Sequence, residues 1–201
     1  MSKSTAERIL DTAEQLFAER GFEGASLGEV ANRVGIRGPS LYSHFESKWR
    51  LYEAVLERLL DPFFAMLDEL AAMPPSPERS RASLERMVAH HVAHPNLARL
   101  VQQAALAGGP QLDLLVERWY RPFFQSLPAI IPGGGSSDSP ESKRITAMIM
   151  GFNDMILGHV TLAPLHARLF GFDPLEKEAV AAHIDFLAAL TVGGDPGFGG
   201  E

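Results

Sequence analysis

The segment GPSLYSHFESK, residues 38–48, combines a narrow apolar stripe with a polar outer face. Leu41 and Phe45 lie four residues apart, the spacing that puts two side chains on one face of a helix. The remaining side chains carry hydroxyls, a phenol, an imidazole and an ammonium group: Ser40, Tyr42, Ser43, His44, Ser47 and Lys48. This pattern predicts a short helix that buries two residues and directs its hydrogen-bonding groups outward.

Two further helices are predicted in front of this segment. The first has an apolar stripe and ends at Gly21, a residue that suits a helix C-terminus. Ser26 and Glu29 form a capping-box pattern at the start of the second helix, which Gly35 ends. Only Gly35 and Ile36 separate the second helix from the quoted segment. Three short helices within 46 residues predict a helix-turn-helix, in which the second helix of the motif enters the DNA major groove.

Composition limits the class of protein. The chain has 201 residues, 46% hydrophobic and 21% charged, which is typical of a globular protein of one or two domains. It has no cysteine, so disulfides and thiolate metal sites are excluded, which fits a cytoplasmic location. No secretory signal is expected, and the most apolar stretch, 145–163, contains too many polar residues for a membrane span.

The net charge of −7 argues against a nucleic-acid partner, but its distribution does not. Within residues 30–52 four cations face one carboxylate, a local charge of +3, and these five residues are Arg33, Arg37, Glu46, Lys48 and Arg50. A charge asymmetry of this kind is a weak indication of a binding face.

The rest of the chain is predicted to be helical. A long helix follows Ser47, with Pro62 expected to kink or restart it. Prolines behind polar caps then predict helices near 78–93, 95–107, 110–127, 140–160 and 174–191, with a kink at Pro122. The fold class is all-α: a helix-turn-helix domain at 1–46, a larger helical bundle at 47–193 and a flexible tail at 194–201. Residues 133–139 are expected to form a flexible loop.

Residues 5–55 resemble the tetracycline-repressor (TetR/AcrR-like) family of transcriptional regulators. The resemblance is a spaced pattern across three helices, carried by Arg8-Ile9-Leu10, Ala13, Leu16-Phe17, Gly21-Phe22, Ser26-Leu27, Val30-Ala31, Val34-Gly35-Ile36, Leu41-Tyr42, His44-Phe45, Ser47-Lys48 and Leu51. It implies a cytoplasmic homodimer that binds a near-palindromic double-stranded DNA operator and is released from it by a small apolar or amphipathic effector. It implies no enzyme activity, no cofactor and no association with a membrane.

The resemblance also implies roles for individual residues. Phosphate contacts are expected from Tyr42, His44 and Lys48, with help from Ser26, and base reading from Arg37, Gly38, Pro39 and Ser40; Ser43 also faces outward. Two positions depart from the family pattern. Arg37 replaces a small capping hydroxyl and adds a charge or a guanine-reading side chain. Gly28 leaves the second helix without a long side chain for the groove, so fewer base contacts are expected.

The second domain is expected to hold the effector. Candidate cavity residues are large apolar groups with polar side chains that would orient a ligand: Gln102, Gln103, Trp119, Phe123, Met148, Phe152, Asn153 and His159. The alternative is that the aromatic and methionine residues are simply core.

Two apolar stripes predict a dimer interface on the last two long helices. They comprise Ile145, Ile149, Ile156, Val180, Ile184, Leu187 and Thr191. The alternative is that both stripes close the core of one chain.

Other functional classes have less support. His90 and His94 lie one helical turn apart, but a zinc site needs three or four ligands, so no metal is expected. No nucleophile or phosphate-binding motif indicates an enzyme. A helical small-molecule-binding or interaction module without DNA-binding activity stays as the alternative function, although it would predict an altered recognition helix.

Overall fold

The computed structural model describes residues 3–74, 76–126 and 140–192, and within these ranges it is helical without strands. The helices are α1 (Thr5–Gly24), α2 (Leu27–Val34), α3 (Gly38–Tyr42), α4 (Lys48–Ala72), α5 (Pro77–Ala93), α6 (Pro95–Ala107), α7 (Gly109–Leu115), a π-helical turn (Val116–Tyr120), α8 (Arg121–Ser126), α9 (Pro140–Thr161), α10 (Ala163–Phe170) and α11 (Lys177–Val192). The all-α prediction is confirmed. The expected loop at 133–139 and tail at 194–201 lie outside the described residues.

Local sequence signals define the helix ends of the N-terminal unit. The Ser26 hydroxyl accepts a hydrogen bond from the Glu29 amide at 3.1 Å, as the capping pattern predicts. Gly35 ends α2 in the left-handed conformation, with φ of 77°, which glycine adopts without steric cost. Gly21 has φ of 70° and interrupts α1, but the helix resumes and ends at Gly24. A capping box between Ser4 and Glu7, which the sequence analysis missed, starts α1.

The N-terminal helices and α6 share one core. Leu41 of α3 is fully buried in it, and Phe45 packs against it, so both predicted anchors of the quoted segment are confirmed. The cluster continues into α6 and the helix that follows through Leu97, Leu100, Ala104, Leu115 and Trp119. The buried surface therefore joins the helix-turn-helix to the rest of the chain.

Polar contacts reinforce this junction. Arg58 of α4 donates to Asp11 and Glu14 of α1, at 2.7 and 2.5 Å. The Gln103 amide of α6 donates to the Ala18 carbonyl of α1 at 2.9 Å. Hydrogen bonds between partly buried groups fix geometry as well as adding stability, and these hold α1 against both α4 and α6.

A second core lies between α5, α9 and α11. It consists of Leu84, Val88, Ile156 and Leu187, with Val180 and Ile184 packed against it. Leu187 has no exposed surface and Ile156 is 4% exposed within a single chain. The prediction that these two residues contact a second chain is wrong, because their side chains already fill the space between α5, α9 and α11.

Three helix predictions need correction. The helix α10 was not predicted. The last helix begins at Lys177 rather than near 174, because the Asp173 carboxylate accepts from the Leu175 amide at 2.9 Å and closes a turn there. Pro62 lies inside α4, which runs unbroken from Lys48 to Ala72.

The expected change at Pro122 takes the form of the π-helical turn just before it. Pro122 has no amide proton to donate to the carbonyl four residues earlier, and a wider turn is one way to accommodate that loss.

Among the described residues no single helix is both long and apolar enough to cross a membrane. One pair, Lys143–Thr161 and Ala163–Phe170, meets that criterion together by length and composition, but it is bent by 65° at the break.

Candidate functional site

Helix α3 presents a polar face to solvent. Leu41 fastens the helix to the core, and Tyr42 on the opposite side is 56% exposed. Ser40 and His44 are exposed as well. The Ser43 hydroxyl donates to the Ser40 carbonyl at 2.7 Å, which satisfies the end of this short helix and leaves Ser43 less free to bind elsewhere.

Arg37 stands at the N-cap position of α3 and is exposed. It makes no side-chain cap hydrogen bond, and Pro39 occupies the first turn, where its missing amide proton is not needed. The predicted consequence of an arginine at this position, a helix without a side-chain cap but with an added charge, is confirmed. Gly28 is exposed and has open space around it, which leaves the surface of α2 flat beside α3.

Lys48 is held in place at the start of α4. Its ammonium group donates to the Glu23 carbonyl at 3.2 Å and lies 4.5 Å from the centroid of the Phe22 ring. An ammonium group has three donors, so two remain for another acceptor. Lys48 is therefore a positioned cation rather than a freely moving one.

Ion pairs redistribute the local positive charge. Arg33 pairs with Glu29 at 2.9 Å and Arg50 pairs with Glu53 at 2.6 Å. Within the described residues, neither Arg37 nor Lys48 pairs with a carboxylate. The positive charge of this face is thus concentrated at the two ends of the quoted segment.

A second candidate site is a cavity of about 500 Å³ between α4, α5, α9 and the π turn with α8. This volume is within the usual range for small-molecule sites. Its wall is mainly apolar and aromatic, with polar side chains from Arg79, Ser80, Ser83, His91, Tyr120, Asn153 and Asp154. The arrangement suits an apolar or amphipathic molecule.

Half of the predicted effector residues line this cavity, namely Phe123, Met148, Phe152 and Asn153. The others have different surroundings. The Gln103 amide is bonded to α1, and the Trp119 indole donates to the Asp61 carboxylate at 2.6 Å inside the first core. Gln102 and His159 are also outside the cavity wall. These four residues lie outside the wall of this cavity, and their part in effector binding stays a prediction.

His159 instead stacks on His183, with ring centroids 3.9 Å apart and planes 6° from parallel. Both Nε2 atoms are buried and have no hydrogen-bond partner among the described residues. Burial lowers the pKa of both imidazoles, that of His183 to about 4. The pair is therefore neutral near pH 7 and packs α9 against α11.

The histidines at 90–94 serve mainly as packing groups. His90 lies between Phe63 and His94, with ring centroids 5.1 and 4.8 Å away. Burial lowers the pKa of His90 to about 4. Across the part of the chain that the structure describes, no three His, Asp or Glu side chains form a group that could hold a metal ion.

Comparison with known proteins identifies the N-terminal unit. The sequence profile of the bacterial regulatory proteins of the tetR family matches residues 9–55. The N-terminal helix-turn-helix of this chain is thus similar to that of tetR-family regulators.

Two curated relatives match part of the sequence. The transcriptional repressor KstR2 of Rhodococcus jostii RHA1 is 40% identical over 80 residues, which are 40% of this chain and 38% of that protein. The transcriptional activator FasR of Mycolicibacterium smegmatis is 37% identical over 79 residues, 39% of this chain and 36% of FasR. The chain thus spans less than two fifths of the length of these relatives, and they are regulators rather than enzymes.

The fold extends over nearly the whole chain. The solved structure of AibR, in complex with isovaleryl coenzyme A and operator DNA, covers 93% of this chain and 97% of its own, with a TM-score of 0.67 and 20% identity. At that identity the likeness shows the shared fold alone. The tetR-family matched segment, 9–55, contains all nine predicted DNA contacts, and their individual roles stay predictions.

Proposed function

We propose that this chain is a sequence-specific DNA-binding transcriptional regulator that acts as a homodimer and is released from its operator by a small molecule. The observation that carries the proposal is the exposed polar face of α3, on a helix anchored by Leu41 within a tetR-family helix-turn-helix. The relatives KstR2 and FasR are a repressor and an activator, and we favour repression, as in the ligand-released members that the family resemblance implies.

The exposed residues divide into two roles. Lys48, Tyr42, His44 and Ser26 contact phosphates and fix the position of the protein on DNA. Arg37 and Ser40, with Gly38 and Pro39 allowing close approach, read base edges in the major groove. The charges of Arg37 and Lys48 support this division, because they lie at opposite ends of the segment and neither pairs with a carboxylate in the part of the chain that the structure describes.

The effector binds in the cavity of the second domain. AibR has the same fold and binds isovaleryl coenzyme A, an acyl compound, and the mainly apolar wall here would accept an acyl chain. Helix α4 links the two sites, since Lys48 begins it and Phe63 and Leu67 line the cavity farther along. Lys48 and Phe63 are fifteen residues apart, about 22 Å along a helix, so a small tilt of α4 would move the DNA-facing end.

A second copy of the chain is needed to reach two successive major grooves, roughly 34–36 Å apart. Exposed apolar residues on the C-terminal helices include Met148 and Met150 on α9, Leu162, Leu165, Leu169 and Phe170 on or beside α10, and Leu190 on α11. We therefore place the interface on the exposed side of α9, α10 and α11. Ile145, Ile149, Val180 and Ile184, which are half-buried, would lie at its edge; the Thr191 side chain is outside the described residues.

Selection of DNA by the purified protein tests the central claim. Random duplexes selected at low salt should converge on a near-palindromic site with half-sites one helical turn apart. If no sequence is enriched, the chain is instead a helical binding or interaction module. A Ser83→Trp substitution, which fills the cavity, should leave operator affinity unchanged and abolish release by any effector; unchanged release would place the effector elsewhere.

Replacement of Leu169 by Arg tests the interface. Leu169 is 65% exposed in one chain, so the variant should stay folded but run as a monomer on sizing chromatography. A dimer of unchanged stability would place the interface on another face.

A further inference from the structure

His91 lines the cavity and is 4% exposed, so it is a buried polar side chain in the cavity wall. Its Nδ1 lies 2.9 Å from the Met87 carbonyl. A carbonyl only accepts hydrogen bonds, so Nδ1 carries the proton and Nε2 presents a lone pair. Burial lowers the pKa of His91, so the ring is neutral at physiological pH and keeps this tautomer.

The Nε2 atom of His91 has no hydrogen-bond partner among the residues that the structure describes. His91 lines the cavity, so this acceptor is available to a molecule that binds there. A buried acceptor without a partner costs free energy unless water or a ligand satisfies it. This corner of the cavity is therefore prepared for a hydrogen-bond donor.

Tyr120 adds a hydrogen-bond donor to the wall of the same cavity. Phe63 packs edge-on against His91 at 4.9 Å, Phe64 against Phe63 at 5.5 Å, and Tyr120 against Phe64 at 5.4 Å. Burial raises the pKa of Tyr120 to about 12, so its phenol is neutral, and the hydroxyl makes no hydrogen bond among the described residues. Both residues line the cavity, and both are uncharged near pH 7.

The opposite end of the cavity is different. Arg79 lies in the first turn of α5 and also lines the cavity, twelve residues before His91, which is about 18 Å along the helix. Its guanidinium donates to the Met73 carbonyl and pairs with no carboxylate among the described residues. Apolar residues of the wall, including Leu84 and Met87, lie between these ends. The wall also contains the exposed carboxylate of Asp154.

We propose that the effector is an elongated apolar molecule with a hydroxyl group at its buried end, recognised by His91 and Tyr120. The inference rests on the proposed effector function of this cavity. An alcohol hydroxyl is one donor and an acceptor, so it can donate to the His91 lone pair and accept from a phenol. A carbonyl or ether can only accept, and a carboxylate would bring an uncompensated charge into an aromatic end. Arg79 suits an anionic group at the other end of the molecule.

Two probes test the proposal: a long-chain fatty acid with a terminal hydroxyl, and the same acid without it. Calorimetric titration of the wild-type protein should show binding of the hydroxylated acid about tenfold tighter, because the plain acid expels water from His91 and Tyr120 and replaces none of its hydrogen bonds. His91→Phe should remove this preference, and Tyr120→Phe, which deletes a single oxygen, should reduce it.

The wild-type comparison alone decides the matter if a variant does not fold. Equal affinity for both acids, together with release of operator DNA by both, overturns the hydroxyl inference and leaves the proposed effector function intact. If neither acid binds, the inference is overturned and this class of effector is removed. If both acids bind and the Ser83→Trp substitution does not weaken their binding, they occupy another site. That result also overturns the inference.

Discussion

Replacement of Lys48 by Ala tests whether the positioned ammonium of α4 neutralises a DNA phosphate. In the structure this group uses one donor on the Glu23 carbonyl, rests near the Phe22 ring and keeps two donors for a phosphate. Each phosphate neutralised contributes about 0.9 to the slope of log affinity against log salt concentration. A homodimer presents two copies, so Lys48→Ala should lower the magnitude of the slope by about 1.8.

The slope is measured by fluorescence anisotropy of labelled operator and unrelated DNA over a fourfold range of salt. Across that range the wild-type protein should lose roughly tenfold more affinity than the variant. Both DNAs should show the same change, because a phosphate contact carries no base information.

Lys177→Ala is the matched control, since it removes the same charge from the exposed start of α11, far from the helix-turn-helix in sequence. The loss of the cation–π contact in Lys48→Ala should cost only about 0.5–1 kcal/mol of folding stability, which thermal unfolding would detect separately. If Lys48→Ala and Lys177→Ala give the same slope while both are folded, Lys48 does not contact phosphate and the reasoning fails.

Three further predictions concern the DNA face and the second core. Arg37→Ala should relax base preference at one position in each half-site by about 1–3 kcal/mol, as measured by competition with point-substituted operators; a uniform loss on all sequences would make Arg37 a phosphate contact. Leu187→Arg should unfold the α5, α9 and α11 core rather than yield a folded monomer, because it buries a charge where Leu187 has no exposed surface; circular dichroism with intact helix content would contradict this. Acidification from pH 7 to pH 5 should lower the melting temperature, because the folded-state pKa of His183 is depressed to about 4 and the unfolded state binds more protons below about pH 6.5. His183→Phe should reduce this pH dependence, and an unchanged dependence would assign it to other groups.

The sequence alone determined the N-terminal unit because its signals are local. The Ser26 cap, the Gly35 stop and the Leu41–Phe45 spacing each depend on hydrogen bonds or side-chain directions within one or two turns. Such features survive in a short stretch of chain whatever packs around it. The exposed face of α3 follows from the same spacing, since the residues that are not needed for anchoring must point away.

Only the tertiary structure decided which apolar stripe faces which neighbour. The apolar periodicity of the last helix predicts that Leu187 is buried. Burial against α5 and burial against a second chain would produce the same sequence pattern. Gln103 donates a hydrogen bond to the Ala18 carbonyl, and Trp119 donates one to the Asp61 carboxylate. Both acceptors are distant in sequence, so no local signal distinguishes these two residues from residues that line the cavity. The proposed pairing of His91 and Tyr120 depends on tertiary structure for the same reason, because the two residues line one cavity only after the surrounding helices have packed.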